Sequence, residues 1–197
     1  KGHPLGEEFT LPYCMDGYFK ESGSSSPAVV NLSSSMLNDW VCSKHQVKLV
    51  RSSISEIKVV EKMKELGSAI GGEGNGGIIL AESHFGRDSI VAAALFLNRL
   101  SMEKIPLSEG RANFPNYIMV KDKISIDGLN LKEVFKRIKD EYRSVELDEL
   151  DGIKLIWPEK WVHIRPSNTE PILRIYAESE DENQLQIEIN KVKKLIH

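Results

Sequence analysis

The sequence is poor in several features, and each shortage closes a class of function. Two cysteines in 197 residues, Cys14 and Cys42, are too few for a disulfide framework and lack metal-ligand spacing, so they read as free, partly buried thiols. No apolar run approaches the roughly 18 residues that a membrane helix needs. The first ten residues carry Glu7 and Glu8 and lack the apolar segment of a signal peptide. No membrane partner is expected, and the expected location is the cytoplasm. Charge of one sign is lacking too: 26 Lys and Arg stand against 29 Asp and Glu, a net charge of −3. The balance is 11 basic to 13 acidic up to residue 110 and 15 to 16 beyond it, so neither half carries a nucleic-acid footprint. Neither a Walker pattern nor a GxGxxG fingerprint occurs, which leaves nucleotide binding without support. His3, His45, His163 and His197 are scattered, with no i, i+4 pair to hold a metal.

What is present is the composition of an ordinary globular chain, with 41% hydrophobic and 28% charged residues. The length suits one to two domains. The chain opens on Lys1 in mid-pattern, which reads as a piece excised from a longer protein.

Residues 27–32 read as a buried strand, 35–45 as a helix and 46–50 as a second strand. Residues 56–66 form an amphipathic helix with Ile57, Val60 and Met63 on one face, Ser55 as N-cap and Gly67 as stop. Strands at 68–71 and 78–80 and an apolar helix at 87–102 follow. This alternation predicts a parallel sheet with right-handed crossovers. It ends at a segment with two prolines and a glycine, residues 105–116, which reads as a linker. Beyond it the rhythm changes to strands at 117–124, 152–157, 161–165 and 172–178 and helices at 131–142 and 182–196. The expected fold class is therefore α/β: a parallel-sheet α/β domain over 1–104, followed by a smaller α+β domain over 117–197 with an antiparallel sheet and two helices.

Two loops have the composition of binding sites. Gly71-Gly72-Glu73-Gly74-Asn75-Gly76-Gly77 joins two strands with five glycines, more than a tight turn needs. Glu73 and Asn75 are expected to project from it with no bulk around them, and a carboxylate can accept from two adjacent hydroxyls, as a sugar diol would require. Arg165-Pro166-Ser167-Asn168-Thr169-Glu170-Pro171 offers a guanidinium, two hydroxyls, an amide and loop N–H groups, an inventory for a phosphate. Arg174 lies three residues past the second proline and can face the same place. The plainer alternatives are a tight turn for the first loop and, for the second, a hairpin whose arginine pairs with a carboxylate. His84 and Arg87 are weaker substrate candidates beside Asp88, which reads as a helix cap. Lys58 is by itself a solvated lysine, and Asp148 and Asp151 read as solvated turn carboxylates rather than a metal site.

Together the two loops resemble those of the α-D-phosphohexomutases, which include phosphoglucomutases, phosphomannomutases and phosphoglucosamine mutases. Gly6-Glu7-Glu8 is similar to the start of that family's third domain, Val29-Val30-Asn31-Leu32-Ser33 to a strand within it, and Gly72–Gly77 to its sugar-specificity loop. Phe85-Gly86-Arg87-Asp88 resembles the segment that follows, and Arg165–Pro171 resembles the fourth domain's phosphate-binding loop. The family's Thr-x-Ser-His-Asn phosphoserine loop and Asp-x-Asp-x-Asp magnesium loop do not occur. The resemblance therefore implies the carboxyl-terminal half of a phosphohexomutase, an isomerase that moves phosphate within a hexose phosphate. Its catalytic serine and its magnesium would then belong to missing amino-terminal domains outside this chain, and the fragment alone would be inactive.

The resemblance assigns Glu73, Asn75 and Lys58 to the sugar, and Arg165, Ser167, Asn168, Thr169 and Arg174 to the non-reacting phosphate. Residues 52–58 match a loop with a Thr-Gly-His-Ser or a Val-Gly-Glu-Lys form in relatives; the first alignment makes Lys58 a substrate contact, the second puts Ile57 in its place. The alternative is a standalone phosphosugar-binding or regulatory module without turnover.

Overall fold

A computed structural model describes residue 2 and residues 4–196; Lys1, His3 and His197 lie outside the described residues. The chain divides into two compact units, Lys1–Asn116 and Tyr117–His197. No helix among the described residues is long and apolar enough to cross a membrane.

The first unit opens with a 3-10 turn, Glu7–Phe9, and helix α1, Thr10–Ser22, which stops at Gly23 in the left-handed conformation. There follow β1 (Ala28–Asn31), α2 (Leu37–Lys44), β2 (Leu49–Ser52), α3 (Glu56–Leu66), β3 (Ile70–Gly72), β4 (Ile78–Leu80), α4 (Ser89–Glu103) and α5 (Leu107–Ala112). The sheet order is β2-β1-β3-β4. β1 pairs in parallel with β2 and β3, as the alternation predicts, while β4 returns antiparallel to β3. Residues 73–77 are too few for a crossover, so the chain can only turn back there. α3 buries Val59 and Met63 against Val29 and Ile79. α1 and α4 pack on each other and touch β3 and β4 respectively.

The sequence gives no clear period over α1 because the helix is buried almost all round: Leu11, Tyr13, Cys14, Met15, Asp16, Gly17 and Phe19 are all inside. Its one buried charge is heavily partnered. Asp16 Oδ2 accepts from Arg99 Nε at 2.7 Å and pairs with Arg99 Nη2 at 2.6 Å, while Oδ1 takes Lys44 Nζ and His45 Nε2, each at 2.7 Å. Burial alone would raise the Asp16 pKa, but these donors outweigh it and hold the carboxyl below its ordinary range.

Residues 105–116 are not a free linker. They contain α5 and, after it, Phe114, which is buried among the rings of Phe9 (5.1 Å), Trp40 (4.9 Å) and Tyr13 (5.9 Å). An aromatic side chain inserted in a core outweighs the loop signal of the prolines around it. Both cysteines are free and buried, and burial pushes each thiol up to about 12.

The second unit is an antiparallel sheet in the order β5-β9-β8-β7-β6, built from β5 (Ile118–Ser125), β6 (Glu146–Asp148), β7 (Ile153–Ile156), β8 (Lys160–Pro166) and β9 (Ile172–Ser179). α6 (Leu131–Glu141) and α7 (Glu182–Ile196) complete it. Val134 and Ile138 of α6 and Leu185, Ile189, Val192 and Ile196 of α7 close over Leu155, Val162, Ile164, Leu173 and Ile175. Each such side chain stabilises the fold by ~1.5–3 kcal/mol. Because side chains alternate along a strand, His163 and Arg165 of β8 and Arg174 of β9 stand on the other face of the sheet.

Candidate functional site

Parallel strands of α/β sheets present ligands at their carboxyl ends. Here those ends carry Asn31 of β1, Ser52 of β2 and, directly after β3, Glu73. The loop 73–77 is closed by Glu73 N donating to Gly77 O at 2.9 Å and Gly76 N to Glu73 O at 3.2 Å. Gly76 has φ +83°, which disfavours any side chain there, and a Cβ at Gly77 would collide with Arg87 Cδ. The glycines thus let an arginine side chain lie against the loop.

That arginine organises the site. Glu73 does not project freely: it is 7% exposed, its Oε1 accepting from Asn31 Nδ2 at 3.2 Å and its Oε2 pairing with Arg87 Nη1 at 3.0 Å. Arg87 is in turn held by Glu56, with its Nε on Oε2 at 2.7 Å and its backbone N on Oε1 at 3.0 Å. The Arg87 backbone N–H and guanidinium hold the Glu56 carboxyl below its usual range. Asn75 does project; its Oδ1 accepts from Gly77 N at 3.2 Å. Glu56, Asn75 and Arg87 line an open cleft of about 400 Å³ together with the start of α4. Asp88 caps α4 through Ile90 N (2.7 Å) and Val91 N (3.0 Å) and holds His84 Nε2 at 3.0 Å.

Lys58 does not line that cleft. It is exposed on α3, its Nζ donating to Glu61 Oε2 at 2.8 Å, and Ile57 is exposed as well. The α3 residue that reaches the loop is Glu56, which sequence reasoning passed over, as it did the pairing of Asn31 with Glu73. The available signals were an Asn at a strand's carboxyl end and a carboxylate in the first turn of a helix.

In the second unit Arg165 is the penultimate residue of β8 and is 6% exposed; its Nε donates to Asp151 Oδ1 at 3.3 Å. Asp151 is thus not a solvated turn carboxylate; Asp148 does serve a turn, accepting from Leu150 N at 2.8 Å. The Asp151 carbonyl also takes the His163 Nε2 hydrogen at 2.5 Å. Burial pulls the His163 pKa down to about 4 in spite of that bond, so the ring is neutral. Arg174 is the register partner of Arg165, on the same face, and its Nη2 donates to Glu170 Oε2 at 2.5 Å. Loop 166–171 is held by Ser167 N on Ile172 O at 2.9 Å, leaving Asn168 and Thr169 exposed with the Ser167 hydroxyl nearby. Two guanidinium groups, two hydroxyls and an amide gather at one end of the sheet, each arginine resting on a carboxylate that an incoming anion would displace.

Among the described residues no three His, Cys, Asp or Glu side chains stand close enough to hold a metal ion. No step through a metal is derived from these residues.

Residues 10–117 match the family model described as phosphoglucomutase/phosphomannomutase, alpha/beta/alpha domain III, and residues 120–193 match the C-terminal domain of the same family. A phosphoglucosamine/phosphogalactosamine mutase of Sulfurisphaera tokodaii is 32% identical over 85% of this chain and 38% of its own length. A phosphoglucomutase/phosphomannomutase of Thermococcus kodakarensis is 28% identical over 89% of the chain and 38% of its own length. The chain thus spans about two fifths of the curated relatives it matches. Among solved structures, a phosphoglucomutase/phosphomannomutase family protein of Burkholderia thailandensis superposes with a TM-score of 0.81 at 15% identity, over 98% of this chain and 42% of that one. Aspergillus fumigatus N-acetylphosphoglucosamine mutase, solved with GlcNAc-6P and magnesium, gives 0.69 at 12% identity, over 97% and 46%.

Proposed function

The chain belongs to the phosphoglucomutase/phosphomannomutase family, of which it carries domain III and the C-terminal domain, and on that premise we propose that it is the substrate-holding part of a phosphohexomutase. In this reading the enzyme moves a phosphoryl group between two oxygens of a hexose phosphate, and the substrate is presented in two opposite orientations. Each orientation needs the same two grips, one for the phosphate that does not react and one for the ring hydroxyls. These residues contribute by positioning rather than by proton transfer.

Arg165 and Arg174 take the non-reacting phosphate, with Ser167, Asn168 and Thr169 completing its oxygens' partners; the planar guanidinium forks suit a phosphate. Glu73 and Asn75 take the hydroxyls. Each Glu73 oxygen accepts one bond within the protein and keeps a second lone pair, so Asn31 and Arg87 fix the carboxylate's plane without exhausting it. Lys58, exposed on α3 and resting on Glu61, is a third member of the hydroxyl grip in this reading. The phosphoserine and the magnesium belong, in this reading, to amino-terminal domains, and the chain alone has no turnover.

The observation that carries the reading is the side-by-side pairing of Arg165 with Arg174 at the mouth of a hydroxyl-lined loop. Titration with glucose 6-phosphate, followed by the ligand's ³¹P signal, tests it: saturable binding that Arg165→Ala removes is expected, and binding unaffected by that change would refute the phosphate assignment.

A further inference from the structure

The register of the second unit's sheet puts a third cation beside the two arginines. Lys123 of β5 pairs directly with Arg174 of β9, which pairs directly with Arg165 of β8. Val120 and Ile124 of β5 turn into the helix-covered core, so Lys123 stands on the opposite face with both arginines. Neighbouring strands are ~4.8 Å apart, which places the row within ~10 Å from end to end. Like charges directly opposite on a sheet are unfavourable unless something offsets them. Asp151 and Glu170 do so for the arginines. Lys123 is exposed, and among the described residues no carboxylate meets its ammonium; Asp127, the acid that follows on its own segment, accepts from Ser125 Oγ at 2.9 Å. Ile126 N donates to Pro171 O at 3.1 Å, so the end of β5 is tied to the last residue of the loop that carries Ser167, Asn168 and Thr169.

We propose that Lys123 is a further binding residue for the phosphate monoester, closing the side of the site opposite Arg165. This rests on the reading of loop 166–171 as the phosphate clamp. A fork-shaped donor pair fixes the orientation of the phosphate oxygens, and a flexible ammonium meets whichever oxygen the forks leave exposed, in either orientation of the sugar. The row supplies a countercharge for the phosphate dianion that the paired arginines alone do not.

The test is titration of the full chain with glucose 6-phosphate at fixed ionic strength, with four variants. Lys123→Ala is expected to raise Kd about fivefold, the size of one partly exposed charge contact, and Lys123→Arg to keep most of the affinity. Lys132→Ala removes the same charge from α6, on the other side of the sheet, and should leave Kd unchanged. The unliganded melting temperature of Lys123→Ala should not fall, since the change relieves a like-charge contact. If Arg165→Ala weakens binding and Lys123→Ala does not, Lys123 is excluded and the clamp stands. If Arg165→Ala has no effect, or the unmodified chain does not bind, both are overturned. An equal loss with Lys132→Ala, or a lowered unliganded melting temperature for Lys123→Ala, would also overturn the assignment.

Discussion

Arg87 Nη1 lies 3.0 Å from Glu73 Oε2, so the carboxylate of the glycine-rich loop is oriented before any ligand arrives. The same guanidinium is anchored through Nε to Glu56 at the start of α3. A loop with five glycines would otherwise leave its one acidic side chain loose.

Arg87→Ala is therefore expected to weaken hexose phosphate binding several-fold and to cost about 1–3 kcal/mol of stability, because it leaves the nearly buried Glu73 carboxylate without its cation. Glu73→Gln, which keeps the shape but loses an acceptor, should weaken sugar phosphates while leaving inorganic phosphate binding unchanged. Parallel calorimetric titrations with the two ligands check both; an equal loss for both would count against a sugar role.

Arg165→Lys should lower phosphate affinity by roughly tenfold or more, since an ammonium cannot supply two parallel hydrogen bonds, each charge-assisted bond contributing ~1.5–3 kcal/mol. Unchanged affinity would remove the bidentate role.

His163 gives the second unit a pH signature. Its folded pKa of about 4 lies below the ordinary 6.5, so the unfolded chain binds the proton first. The stability it represents is complete above pH ~6.5 and is lost as the pH falls toward 4, up to ~3 kcal/mol. Urea titrations between pH 7 and 4 should show this slope, and His163→Gln should flatten it.

Asp16→Asn should cost ~3–5 kcal/mol, because Arg99, Lys44 and His45 lose the charge they share and Arg99 is buried. Phe114→Ala should cost a similar ~3–5 kcal/mol by emptying an aromatic pocket. Thermal or urea unfolding of each variant measures the loss.

The bounds of α3 were legible in the sequence because a period of 3.6 stands out, but its face was not: Val59 is buried with Met63, while Ile57, expected on that face, is exposed; α1 was not legible, since burial on all sides erases the period. Arg165 and Arg174 were legible as neighbours because a short loop between two strands fixes their pairing. Glu73 was legible as a candidate but not in its setting, since Asn31, Arg87 and Glu56 come from other elements and only the folded sheet brings them to it. Phe114 was hidden by the prolines around it, whose turn chemistry says nothing of what a single ring fills.

The two buried thiols have a practical use. A thiol with its pKa near 12 and no solvent access does not react with an alkylating reagent until the structure around it opens. Cys14 and Cys42 both lie in the first unit, and the second has none. Alkylation over time is thus a clock for the opening of the sugar-loop unit alone, legible by mass without a label or a mutation, and its slowing on addition of a ligand reports which unit that ligand holds.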